Sequence, residues 1–101
     1  MLKTILATTV VTLALSSSAI ANYQGKAKYP TCIGCHGVNA EGGIGPKLVG
    51  QTANEIVEKL IAYRNNEQLA QQSAMMWGIA GIAASLTDED IQALAEYLSN
   101  K

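Results

Sequence analysis

The stretch Cys32-Ile33-Gly34-Cys35-His36 decides how the rest of the chain is read. It has the form Cys-x-x-Cys-His, the attachment pattern for c-type haem. Two thiols can add across the porphyrin vinyl groups as thioethers, and the adjacent histidine can reach the iron. Two intervening residues let one helical turn present both sulfurs to the same porphyrin edge and carry the imidazole under the ring. The competing readings explain less. A structural zinc site needs a closed set of four ligands, and this chain would have to recruit carboxylates beside its two cysteines and single histidine. A thioredoxin-like pair needs a βαβ context, and no strand pattern is evident. A disulfide spanning two residues is strained and leaves His36 unexplained.

Upstream lies a targeting pattern. Lys3 gives a positive start, Ile5 to Leu15 is apolar apart from threonines, and Ser16-Ser17-Ser18 precede Ala19-Ile20-Ala21. This order predicts a secretory signal peptide over residues 1–21, cut after Ala21. The alternative is an uncut N-terminal anchor. The apolar run is shorter than the roughly 20 residues that a membrane span needs. Cleavage leaves one domain, residues 22–101, in which six Lys/Arg face eight Asp/Glu. An acidic chain lacks the basic footprint that nucleic acid requires. Export predicts a periplasmic protein, with no membrane span in the mature chain.

Eighty residues remain after the cut. Chains of this size bury a thin core and usually need a staple. With both cysteines committed to haem no disulfide is left, so the haem is expected to supply the missing apolar core.

Downstream of the motif, Gly37 to Gly50 holds five glycines in fourteen positions and reads as a loop. Within it, Pro46 is the candidate to offer its carbonyl to the second ring nitrogen of His36, the contact that usually fixes a ligating histidine. Leu48 would then face the porphyrin. The plain alternative is a proline turn with a core leucine. Upstream of the motif, Tyr23, Ala27 and Cys32 share a helical face, although Gly25 and Pro30 weaken a helix, and Pro30 is expected to bend or restart it. Thr52-Ala53-Asn54-Glu55 has capping-box spacing. Ile56, Val57, Leu60 and Ile61 then make an inward helical face, Glu55 and Lys59 form an i, i+4 pair, and Asn65-Asn66 end the helix. Glu67 to Ser73 is a polar turn or short helix. Thr87 caps a last helix opened by Asp88, Glu89 and Asp90, with Ile91, Leu94, Ala95 and Leu98 as its buried stripe.

Met75-Met76-Trp77 carries the remaining chemistry. A thioether is a plausible sixth iron ligand. His36 is the only histidine, so a second imidazole from this chain is impossible, and Met1 leaves with the leader. An internal sulfur ligand is therefore Met75 or Met76, with lysine or water as the fallback. Core packing is the ordinary role of methionine. Trp77 reads as packing for the haem pocket.

Taken together, Cys32-Ile-Gly-Cys35-His36-Gly37, Gly45-Pro46-x-Leu48, Met75-Met76-Trp77-Gly78 and Leu86-Thr-Asp-Glu-Asp-Ile91 with Ala95-x-Tyr97 resemble a class I bacterial c-type cytochrome. The likeness is to the small monohaem periplasmic type and to single modules of dihaem relatives. It implies an all-α cytochrome c fold, three to five helices wrapped around one covalently attached haem c. It also implies that the first and last helices cross near the haem edge. Cys32 and Cys35 would hold the haem, Pro46 and Leu48 would line its pocket, and His36 and Met76 would be the axial pair. The stretch from Met76 to Leu86 is longer than in such relatives, around Ala80-Gly81-Ile82, which keeps Met75 as the alternative ligand.

The resulting expectation is a one-electron carrier, not an enzyme, that docks transiently with membrane or periplasmic reductases and oxidases. Two rivals stand beside it. One is a catalytic or ligand-sensing haem protein with an openable sixth position. The other is a fixed electron-transfer subunit of a periplasmic dehydrogenase. Because the haem replaces so much of the core, the haem-free chain is expected to lack native-like helical circular dichroism. A native-like spectrum would show that the polypeptide builds its core alone.

Overall fold

The computed structural model of the protein describes residues 13–65, 76 and 81–101. Residues 1–12 of the predicted leader, Asn66, the polar stretch Glu67 to Ser73, Met75, Trp77, Gly78 and Ala80 lie outside the described residues. The chain forms α1 (Leu13–Lys28), a 3-10 turn (Tyr29–Cys32), α2 (Ile33–His36), α3 (Ala53–Arg64), a second 3-10 turn (Ala83–Ser85) and α4 (Asp88–Ser99). No strand occurs among the described residues, as expected for an all-α cytochrome c fold.

α1 does not use the face expected of it. Tyr23 is 73% exposed and Ala27 is also exposed, whereas Gly25 is buried. At Gly25 the helix meets α4 backbone to backbone. A Cβ built there would overlap the carbonyl oxygen of Ala93 and stand 2.5 Å from Cβ of Tyr97. The residue that weakens the helix as an isolated segment is the one that lets it pack. Below the crossing, the Tyr29 and Tyr97 rings pack at 5.7 Å between centroids and tilted by 49°. Lys28 Nζ reaches Asp90 Oδ2 at 3.5 Å. Pro30 lies in the first turn of the 3-10 segment, where the helix changes pitch as expected.

Both later helices start as their sequences dictate. The Thr52 hydroxyl accepts from the Glu55 amide at 3.1 Å, and the Glu55 carboxylate accepts from the Thr52 amide at 2.9 Å. The same exchange joins Thr87 and Asp90, at 3.0 Å in both directions. In each case two amides without a helical partner are satisfied at once. The Thr52 amide holds the Glu55 carboxyl below its usual range, and the Thr87 amide does the same for Asp90. Glu55 is thus engaged in the cap, and Lys59 Nζ donates to Gln51 Oε1 at 2.6 Å instead of forming the expected ion pair. Asn65 ends α3.

The core gathers Tyr29, Ala40, Ile56, Leu86, Ile91, Leu94, Ala95 and Leu98. The four stripe positions expected on α4 are all there. Ala93 is buried as well, on the side that meets α1.

Gly25→Ala forces the two helices apart or distorts one of them. Overpacking of this kind costs about 1–3 kcal/mol. The denaturation midpoint of the haem-loaded protein should fall accordingly, and an unchanged midpoint would mean that the crossing is not close in solution.

Candidate functional site

The site is built on a helix too short to stand alone. α2 has four residues, far below the length at which isolated helices persist. Its last carbonyls need partners, and the glycine-rich loop supplies them. Gly45 N donates to Cys35 O and Gly42 N donates to His36 O, both at 2.7 Å. The loop is tightened further along, where the Leu48 amide donates to Ala40 O at 2.9 Å. Ala40 is completely buried and takes φ 58°, a left-handed conformation that costs a non-glycine residue free energy. Tyr29 ties the turn to the core, its hydroxyl donating to Gly37 O at 2.8 Å. Burial, with Cys32 and Glu41 nearby, pushes the Tyr29 phenol up to about 12.

This fold-back brings the Pro46 carbonyl to the imidazole. His36 Nδ1 lies 2.8 Å from Pro46 O. A carbonyl only accepts, so Nδ1 carries the proton and the Nε2 lone pair is left available. His36 is only 7% exposed. Gly45 backs the ring closely: a Cβ there would stand 2.8 Å from Cε1, 3.1 Å from Nδ1 and 3.2 Å from Nε2.

A cavity of about 350 Å³ opens in front of these residues, within the usual range for cofactor pockets. Cys32, Cys35 and His36 line it, as do Pro46 and Leu48 from the loop. Ile56, Leu60 and Tyr63 contribute from α3, Leu94 and Leu98 from α4. Met76 and Ile82 complete the wall. The expected site residues Cys32, Cys35, His36, Pro46, Leu48 and Met76 therefore share one cavity, while Met75 lies outside the described residues. Both cysteines are free and half-buried. Burial pushes the Cys32 thiol up, partly offset by Thr31 and Lys28. Among the described residues, no three His, Cys, Asp or Glu side chains converge as ligands of a single ion.

The family model described as Cytochrome c matches residues 23–101. The chain belongs to the cytochrome c family. It is 32% identical over 90 residues to cytochrome c-553 of Nitratidesulfovibrio vulgaris, covering 86% of this chain and 85% of that protein. It is 35% identical over 79 residues to cytochrome c-554(548) of Halomonas halodenitrificans, covering 76% and 92%. A third relative, the thiosulfate dehydrogenase electron acceptor of Stutzerimonas stutzeri, is 35% identical over 74 residues. That alignment covers 70% of this cytochrome and 32% of the relative.

As a cytochrome c the protein carries covalently bound haem c and is a haem-based electron carrier that works with redox partners. The residues present fit the group. Two free thiols and an imidazole stand on one edge of an apolar cavity, and the imidazole is held in the tautomer that leaves Nε2 available.

Reading the sequence missed several parts of this site. The Gly45 contact with the ring and the strained Ala40 leave no signal in composition. Tyr29 lies off the helical face read at Tyr23, Ala27 and Cys32, yet it is 2% exposed.

Gly45→Ala should push the imidazole off the Pro46 carbonyl. The ferric haem spectrum should then change and the thermal midpoint should fall. Gly34→Ala, where a new Cβ meets nothing within 4 Å, should leave the spectrum unaltered. Equal spectra for all three proteins would show that Gly45 does not constrain the ring.

Proposed function

We propose that this cytochrome is a periplasmic one-electron carrier and not an enzyme, with His36 and Met76 as axial ligands of the iron and Cys32 and Cys35 as thioether anchors. The observation that carries the reading is the 2.8 Å contact between His36 Nδ1 and Pro46 O, on the wall of an apolar cavity that Met76 also lines. The haem iron, when bound, supplies the change between Fe(II) and Fe(III).

The chain's own residues account for what such a carrier needs. Cys32 and Cys35 fix the porphyrin edge to α2. Pro46, with no N–H of its own to satisfy, accepts from Nδ1 and raises the basicity of Nε2. Leu48, Ile56, Leu60, Leu94 and Leu98 exclude water, and with a thioether ligand they favour a relatively high potential. A methionine at the sixth position leaves no open face for a substrate, which is the basis for reading a carrier and not a catalyst.

Residues 1–21 are read as a leader removed after Ala21, delivering residues 22–101 to the periplasm. The family match, over 23–101, is in keeping with that boundary. The cut would fall inside α1 and retain its crossing at Gly25. No helix among the described residues is long and apolar enough to cross a membrane. Docking is read as transient. The name of the Stutzerimonas stutzeri relative favours a dehydrogenase as one class of electron donor.

Absorption spectra of oxidised and reduced protein test the ligand assignment. The wild type should be low-spin and show the weak sulfur-to-iron band when oxidised, and Met76→Ala should lose it. Retention of the band in the variant would assign the ligand to Met75. A high-spin wild type would replace the carrier with a haem protein that binds an external ligand.

A further inference from the structure

Arg64 is the last residue of α3, and Leu86 directly precedes the Thr87 cap of α4. Between them runs the segment that carries Met76. Arg64 Nη1 donates to Leu86 O at 3.3 Å across 22 positions of sequence, and it meets Asp88 Oδ1 at 2.7 Å. A guanidinium suits this double task, because Nη1 alone carries two N–H groups held at a fixed angle in one plane.

The two contacts differ in weight. The Asp88 side chain is 81% exposed, so the ion pair is screened by water and worth little alone. Leu86 is 5% exposed and belongs to the core. Its carbonyl accepts a longer hydrogen bond from the charged guanidinium, but in a partly buried setting where water competes less for it. Arg64 therefore grips a residue that the core already holds in place.

We propose that Arg64 is a positioning residue for the sixth iron ligand: it ties the two ends of the Met76 segment together and thereby keeps Met76 on the iron. This rests on Met76 ligation as proposed above. When a ligand leaves the iron, its segment gains conformational freedom, and that gain favours departure. Fixing the segment's ends limits the gain. An external ligand competing for the sixth position should therefore find it harder to enter while Arg64 is in place.

The test is imidazole titration of the ferric, haem-loaded protein, followed through the sulfur-to-iron band. Arg64→Gln should bind imidazole about tenfold more tightly than wild type, as expected for a lost hydrogen bond to a charged group. Lys28→Gln is the control. It removes an ion pair to Asp90, also at the start of α4, that does not bracket Met76. It should leave imidazole affinity unchanged, whatever it does to the thermal midpoint. If Arg64→Gln does not yield folded holoprotein, Arg64→Lys is titrated in its place, with a smaller increase expected. No increase on changing Arg64, or an equal increase for Lys28→Gln, would overturn the positioning role and leave Met76 ligation intact. A wild type without the sulfur-to-iron band would overturn the ligation reading, and the positioning role with it.

Discussion

The hydrogen bond between His36 and the Pro46 carbonyl depends on a bargain between a helix and a loop, neither of which is stable alone. α2 is a single turn whose terminal carbonyls have no helical partners. The loop after it is too rich in glycine to hold one conformation without help. Each resolves the other's deficit: the amides of Gly42 and Gly45 fold back onto His36 O and Cys35 O. Once Gly45 is bound there, the next residue must present its carbonyl close to Nδ1. The absence of a side chain at Gly45 lets the loop lie against the imidazole. Tautomer, ring plane and loop course are thus set by one local arrangement.

The same economy governs the core. Ile56, Leu94 and Leu98 belong both to the buried cluster and to the cavity wall. α4 divides its surface to allow this. Ala93 and Tyr97, four residues apart, face α1, while Ile91, Leu94 and Leu98 face inward at spacings of three and four. Because the crossing at Gly25 relies on close approach of two backbones, it does not consume the large apolar side chains. Those are left for the cavity. Folding and haem binding therefore draw on the same surfaces, and stability should follow cofactor occupancy.

What the sequence made legible follows from how local each signal is. The haem motif, both helix caps and the α4 stripe are set by residues within a few positions of one another, so spacing alone reveals them. Pro46 was legible because histidine ligands commonly take a second partner and the loop offered a stiff carbonyl. Gly25 was misread because its value lies entirely in Ala93, far along the chain. The contacts of Arg64 leave no local signal for the same reason, since both of its partners lie across the Met76 segment. The exposed face of α1 shows the limit of periodicity: Tyr23 and Ala27 share a stripe, but the close approach at Gly25 turns that stripe to solvent.

Locality also separates the two walls of the cavity, the one at His36 and the one at Met76. The histidine side is held by contacts within ten positions of His36: its own helix, the glycine amides that cap it and the Pro46 carbonyl. These share residues, so none can be released without disturbing the others. The wall at Met76 is bracketed from the ends of two separate helices by a single arginine, one of whose two contacts faces water. Strength of ligation aside, the covalent anchors Cys32 and Cys35 also sit on the histidine side of the chain. With the ligand pair proposed above, loss of a protein ligand would therefore fall to Met76 before His36. Such an asymmetry would suit a carrier, since the tightly tied side holds the attachment cysteines and the imidazole, and only the Met76 side is left free to adjust.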